Sequence, residues 1–407
     1  MNSSSSRRDF LATTLATGAA VALPAASYAR VKGANERISI GLIGCGNRGR
    51  GAQIPNIAKH ASAQNVEITA ASDPWRVSRE HASVGIHGKF GVKARLCESH
   101  EELLAMEDVD AVMITSCDHQ HARQLEAAVR AGKDVYCEKP IAKNIEELNR
   151  TCDVVKESGK IVQVGTQVRS FSSVSGARSV YQSGVLGNVS RIEQRRNGKR
   201  PFWYGYIRDV KRKDVNWEEF VMGASEREFD PVAYSAWMGY QDFCDGPVPQ
   251  LAVHFIDTVH FVTGAVVPES CVCHGGLFTW KDEHQFDVPD HVQALWTYPE
   301  GFMVSYSTNF GNGTDNAIRF CGDEGTLDLT DLHQPRLLRD DQEEEIEPVA
   351  RADHWLDWLQ CLRSRKSPNA SIEAGYNQTI PCLMAVKSFE TGRRMIFDPE
   401  RRTIQEG

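Results

Sequence analysis

Paired C-x-x-C motifs are missing from this chain, and beyond its first thirty residues no stretch approaches the ~18 apolar residues that a membrane span needs. The first absence excludes a zinc site built on paired cysteines, and the second excludes a spanning helix in the mature protein. The net charge of −8 is spread over 407 residues, so the chain offers no obvious surface for nucleic acid or anionic lipid. His260, His274, His284 and His291 lack metal-ligand spacing, and no metal is expected. There are no internal repeats. With 41% hydrophobic and 25% charged residues, the composition is that of a soluble globular protein, and the length suggests two domains.

What is present begins with an address. Arg7-Arg8-Asp9-Phe10-Leu11 precedes a mildly apolar run to Ala26, and Ser27-Tyr28-Ala29 supplies small residues at a cleavage site. Residues 1–29 therefore read as a twin-arginine signal peptide, with export to the periplasm or an equivalent compartment. Pro24 and the shortness of the run argue against an anchor. The 11 cysteines are an odd number, so at least one lacks an intramolecular bridge. Folding in the reducing cytoplasm before export suits buried thiols better than a disulfide framework.

From Arg37 to about Val164, strand and helix signals alternate. Strands are expected at Arg37–Ile43, Val66–Ser72, Ala111–Ile114, Asp134–Cys137 and Ile161–Val164, and helices at Gln53–His60, His119–Ala131 and Asn144–Ser158. Ser99 with Glu102 reads as a capping box. This rhythm predicts an α/β fold, with a parallel Rossmann sheet over residues 36–166.

Residues 167–407 change character. Strand-like runs at Val189–Arg195, Cys271–Thr279, Val292–Thr297, Met303–Thr308 and Thr326–Leu329 predict an open, mainly antiparallel sheet in a second α/β domain. Helices are expected at Ala177–Gln182, Leu251–Val262, Asp353–Arg363 and Tyr376–Arg393. Residues 198–247 are irregular and aromatic, and read as an insertion or arm. Trp203, Tyr204, Tyr206, Trp217, Tyr234, Trp237 and Tyr240 suit stacking on sugar rings or packing between subunits equally well.

Two constellations carry chemistry. Gly44-Cys45-Gly46-Asn47-Arg48-Gly49 follows a strand and opens a helix, the setting in which glycines let backbone approach a pyrophosphate. Asp73 ends the next strand, 24 residues after Gly49, where a carboxylate takes adenosine ribose hydroxyls and favours NAD. Arg48 and Arg76 stand near enough to accept a 2′-phosphate, so NADP stays open. The second constellation is Tyr136-Cys137-Glu138-Lys139-Pro140, at the ligand-binding end of a parallel strand.

These motifs, with Gly132-Lys133-Asp134-Val135, Ser116-Cys117-Asp118-His119-Gln120-His121 and Val162-Gln163-Val164-Gly165-Thr166-Gln167, resemble the glucose–fructose oxidoreductase/inositol dehydrogenase (Gfo/Idh/MocA) family. Trp217-Glu218-Glu219-Phe220, Gly322-Asp323-Glu324-Gly325-Thr326 and His354-Trp355 extend the resemblance over nearly all the chain after the signal. The resemblance implies a nicotinamide cofactor held by the glycine turn, Asn47, Arg48, Asp73, Glu138 and Lys139. It also implies an active-site Lys139, a sugar, polyol or glycoside substrate, and a sheet that often mediates homo-oligomers. Where the family shows Asp-x-x-x-His, this chain has Gln250 and His254, so His254 is the base without the expected acid. Gln167, Arg169, Gln250 and Asp257 stand on the substrate side.

Export adds that the dinucleotide is tightly held, because the destination offers no large pool of it. The leading expectation is hydride transfer from a sugar-like hydroxyl to NAD or NADP. The alternative is glycoside cleavage through transient oxidation. A third reading is a non-catalytic sugar-binding protein on the same scaffold.

Overall fold

Strands buried on both faces need apolar side chains pointing both ways, and the first half of the chain supplies them in β1 (Ile38–Ile43), β2 (Val66–Ser72), β4 (Ala111–Ile114), β5 (Asp134–Cys137) and β6 (Val162–Val164), with the short, largely exposed β3 (Arg95–Cys97) at the edge. Between them run α1 (Ile54–Gln64), α2 (Arg76–Phe90), α3 (His100–Leu104), α4 (Asp118–Arg130) and α5 (Ile145–Ser158). The computed structural model describes residues 36–407, and Ser39–Gly407 form one compact unit. The expected signal peptide, residues 1–29, lies outside the described residues.

The six strands form a sheet of order β3-β2-β1-β4-β5-β6. The pairs β1–β4, β4–β5, β5–β6 and β2–β3 are all parallel. Strand order reverses between β1 and β4, where a doubly wound sheet opens its ligand crevice. The alternation read from the sequence stands. It omitted β3, three residues long with Arg95 and Leu96 exposed, and α2, whose buried stripe is only Ser78, Arg79, Ala82 and Ile86 and so carries a weak apolar period. The capping box holds in one direction only. Ser99 Oγ accepts from Glu102 N at 3.1 Å, but the Glu102 carboxylate turns to Glu98 N instead.

The second half contains α6 (Ser172–Gln182), β7 (Val189–Arg195), α7 (Trp217–Val221), α8 (Pro231–Ser235), α9 (Val253–Thr263) and β8 (Ser270–Gly276). It continues through β9 (His291–Thr297), β10 (Met303–Asn309), β11 (Ala317–Gly322), β12 (Thr326–Asp328), β13 (Arg336–Arg339) and β14 (Gln342–Glu345). It closes with α10 (His354–Ser364), α11 (Ile372–Thr391), β15 (Met395–Asp398) and β16 (Thr403–Glu406). The sheet is ten-stranded, ordered β14-β13-β12-β11-β7-β10-β9-β8-β15-β16. It is antiparallel except for β7 beside β10. Five strands (β11, β13, β14, β15 and β16) escaped the sequence reading. Four of these lie toward the two edges and are only four residues long, and β14, Gln-Glu-Glu-Glu, is exposed throughout.

Helix α11 joins the halves, packing on β8 and β15 and also on α5 and β6. All eleven cysteines are free, and ten are buried. Cys271 and Cys273 face the core while Val272 faces out, as strand alternation requires.

Candidate active site

The C-terminal ends of the parallel strands open into a cleft with a cavity of about 760 Å³. It runs from Asp73 and Trp75 at one end to Lys139, Gln250 and His254 at the other, and the glycine turn forms its floor.

The turn tests whether a dinucleotide fits. Gly44 has φ +90°, and a Cβ there would meet Ser116 N at 2.5 Å. A Cβ on Gly49 would lie 2.4 Å from Gly44 O. Those two glycines are demanded by the protein's own packing. Gly46 is different, because a Cβ there meets nothing within 4 Å and would stand in the open cleft. Only an approaching ligand gives that position a reason to be glycine. The turn leads into a π-type turn, Gly49–Gln53, ahead of α1. A second π-type turn, Val248–Ala252, carries Gln250. Such turns concentrate at functional sites.

Arg48 Nε bonds Glu138 Oε1 at 2.6 Å, and Gln53 Nε2 reaches the same oxygen at 2.7 Å. Burial works against the Arg48 charge, but Glu138 more than offsets it and raises the guanidinium above its ordinary value.

At the other end, Lys139 Nζ donates to Gln250 O at 2.9 Å and lies 3.3 Å from Gln250 Oε1. The Gln250 amide nitrogen in turn donates to Asp118 Oδ2. Asp118 is 3% exposed; burial raises its carboxyl, and Lys139 pulls it back down. Gln250 thus joins the lysine to a carboxylate that sequence reasoning missed. Asp118 was legible only as part of a six-residue motif. His254 also lines the cavity, and its Nδ1 is buried without a hydrogen-bond partner. Burial first, and Lys139 second, push the imidazole well below its ordinary value, so it is held neutral.

The remaining expected residues separate. Among Gln167, Arg169, Gln250 and Asp257, only Gln250 lines the cavity. Gln167 instead accepts from Arg48 at 3.3 Å. Arg169 and Asp257 form a buried pair, with Nε to Oδ2 at 2.9 Å and Nη2 to Oδ1 at 2.8 Å. Both lie outside the cavity lining, and each engages the other's charge. Asp257→Leu is expected to cost about 3–5 kcal/mol by stranding Arg169, and Asp257→Leu with Arg169→Met to recover most of it. Urea midpoints of the two variants check this. Arg76 is likewise engaged, bonding Asp214 at 2.7 Å and Glu80 at 2.6 Å.

The 198–247 segment lies across the cleft. Trp203, Tyr204, Trp217 and Tyr240 are buried in a core of its own, together with Phe220, Phe243 and Phe286. Phe202, Tyr206, Tyr234 and Trp237 line the cavity. The aromatics therefore divide between packing within the chain and wall-building. His119, at the start of α4, anchors the segment through Nε2 to Phe220 O at 2.7 Å, and burial lowers its pKa to about 3.

With this geometry in place, comparison with known proteins is decisive. Residues 38–166 match the oxidoreductase family model with an NAD-binding Rossmann fold, and residues 174–328 match the GFO/IDH/MocA C-terminal domain. The chain belongs to the Gfo/Idh/MocA oxidoreductases. A signal-sequence model of the twin-arginine pathway matches residues 4–24, so this Gfo/Idh/MocA member is addressed for export. An uncharacterized oxidoreductase of Streptococcus pneumoniae is 24% identical over 323 residues, 76% of each chain. An inositol 2-dehydrogenase of Gluconacetobacter diazotrophicus is 29% identical over 164 residues. That match spans 40% of this chain and about half, 47%, of the relative. The WlbA dehydrogenase of Bordetella pertussis, solved with NADH and UDP-GlcNAcA, shares the fold at a TM-score of 0.69 and 20% identity. The superposition covers 89% of this chain and 99% of that one.

Proposed function

We propose that the protein oxidises a hydroxyl of a sugar, polyol or glycoside, with NAD held as a resident group. Residues 36–166 hold the dinucleotide and residues 167–407 build the substrate side. One observation carries the reading: a single cavity connects the glycine turn to Lys139 and His254. A nicotinamide held by these residues would supply the acceptor for the hydride leaving the hydroxyl-bearing carbon. His254, kept neutral, takes the proton from the hydroxyl. Lys139, fixed by Gln250, donates a hydrogen bond to the same oxygen and stabilises charge developing there. Gln250 takes no proton itself. The Asp118 carboxylate beside it balances the lysine.

Tight retention of the cofactor is supported by the aromatic segment over the cleft and by the export signal. A protein exported folded carries its dinucleotide with it. Assembly with further copies is supported by the outer face of the large sheet, where Val272, paired with Leu295, Met303 and Ile396 are exposed.

Mass spectrometry of the supernatant from freshly purified, denatured protein is expected to show NAD near one per chain. Candidate sugars added anaerobically are expected to produce the absorbance of reduced nicotinamide. Release of a free sugar from a glycoside, with deuterium exchange at its carbon and no net reduction, would move the reading to cleavage through transient oxidation. Absence of both dinucleotides would defeat the proposal.

A further inference from the structure

We infer that Tyr234 and Asp214, both on the segment across the cleft, select NAD over NADP by occupying Asp73 and Arg76. This rests on the reading that the glycine turn holds a dinucleotide. In a Rossmann domain, the acid ending the second strand takes the ribose 2′-hydroxyl, or a nearby arginine takes the 2′-phosphate. Here the second domain reaches over and engages both groups.

Asp73 is 6% exposed. Its Oδ2 accepts from Cys45 N at 2.7 Å, and its Oδ1 accepts from Trp75 N at 2.8 Å and from the Tyr234 hydroxyl at 2.9 Å. A carboxylate offers about four acceptor sites, and three are used, leaving one on Oδ2 for a single hydroxyl. Tyr234 thus holds a buried acceptor in the orientation that suits a ribose and disfavours a second anion.

Arg76 opens α2, three residues beyond Asp73. Its Nε and Nη2 bond Asp214 Oδ1 at 3.1 and 2.7 Å, and its Nη1 bonds Glu80 Oε1 at 2.6 Å. Three of its five N–H donors are engaged and its charge is shared between two carboxylates, which disfavours the approach of a phosphate. The loop between Asp73 and Arg76 is also stitched to the segment by backbone. Trp75 and Val215 form a β-bridge, and Asn216 N donates to Pro74 O at 3.0 Å. A loop tied this way does not swing outward to make room for the larger group.

The Arg76 pair is exposed and individually weak, so the two devices are expected to differ in size. The experiment is an exchange competition. Purified protein is equilibrated with equimolar NAD and NADP and desalted, and the cofactor released on denaturation is quantified by mass spectrometry. The parent should carry almost only NAD. Asp214→Ala should raise the NADP share about threefold to tenfold, consistent with loss of an exposed pair and release of Arg76. Tyr234→Phe should lower NAD occupancy about tenfold at limiting NAD and raise the NADP share of free exchange. Asp73→Ser with Asp214→Ala should bring the two dinucleotides close to parity.

A purely structural role for either residue would depress both dinucleotides alike and leave their ratio where it was. That result, or an NADP preference in the parent, would overturn the inference while the functional reading survives. A parent that binds neither dinucleotide would overturn both.

Discussion

Gly46→Val is expected to fold with a thermal transition close to the parent's and to emerge without dinucleotide. A Cβ at Gly46 meets no protein atom within 4 Å, so the added side chain costs the fold little and instead fills the space a pyrophosphate would occupy. The contrast lies three residues on. Gly49→Val places its Cβ 2.4 Å from Gly44 O, a backbone atom that does not yield without disturbing the whole turn. Overpacking of this kind costs about 1–3 kcal/mol and occasionally more, so Gly49→Val should melt lower and also lose cofactor. Thermal scans paired with mass spectrometry of bound NAD separate the two variants. A Gly46→Val protein that retains NAD would remove the pyrophosphate from the turn.

His254→Asn is expected to retain NAD and to lose about 10²- to 10⁴-fold in kcat, the usual worth of a positioned acid–base group. Lys139→Met should lose a comparable factor of about 10²–10³, since it removes a donor aimed at developing negative charge. The pH profile gives the sharper discrimination. Burial and the neighbouring Lys139 hold His254 well below its ordinary value, so the base stays neutral as the medium turns mildly acid. The acid limb of kcat/KM should therefore lie below the ordinary histidine range. Lys139→Met removes one of the charges that depress the imidazole and should move that limb upward. An acid limb at the ordinary histidine position, unmoved by Lys139→Met, would assign the base elsewhere, with Asp118 the next group to test.

Much of the cofactor end was legible along the chain. A glycine turn, an acid one strand later and a Glu-Lys-Pro segment are local patterns, because each is dictated by backbone geometry within a single strand–turn–helix unit. The parallel sheet was legible for the same reason, since strands buried on both faces write continuous apolar runs. Helix α2 was hidden by a buried stripe containing serine and arginine. The edge strands of the large sheet were hidden because each is only four residues long, too short for a period to stand out.

The substrate end was legible only in part. Gln250 and His254 lie four residues apart and both line the cavity, but Asp118, which bonds Gln250, comes from 132 residues away. Arg169 and Asp257 were plausible at a site by type and position. Their mutual pairing across 88 residues removes them from it.

The sequence by itself determined the export address, the α/β class, the dinucleotide turn and the family, because those features are spelled in contiguous residues. Only the tertiary structure decided which polar groups remain free in the cleft. It placed a carboxylate beside the missing acid, tied Arg76 to Asp214, and laid Tyr234 on Asp73. Pairing between distant charges is a matter of three-dimensional distance, and no local pattern encodes it.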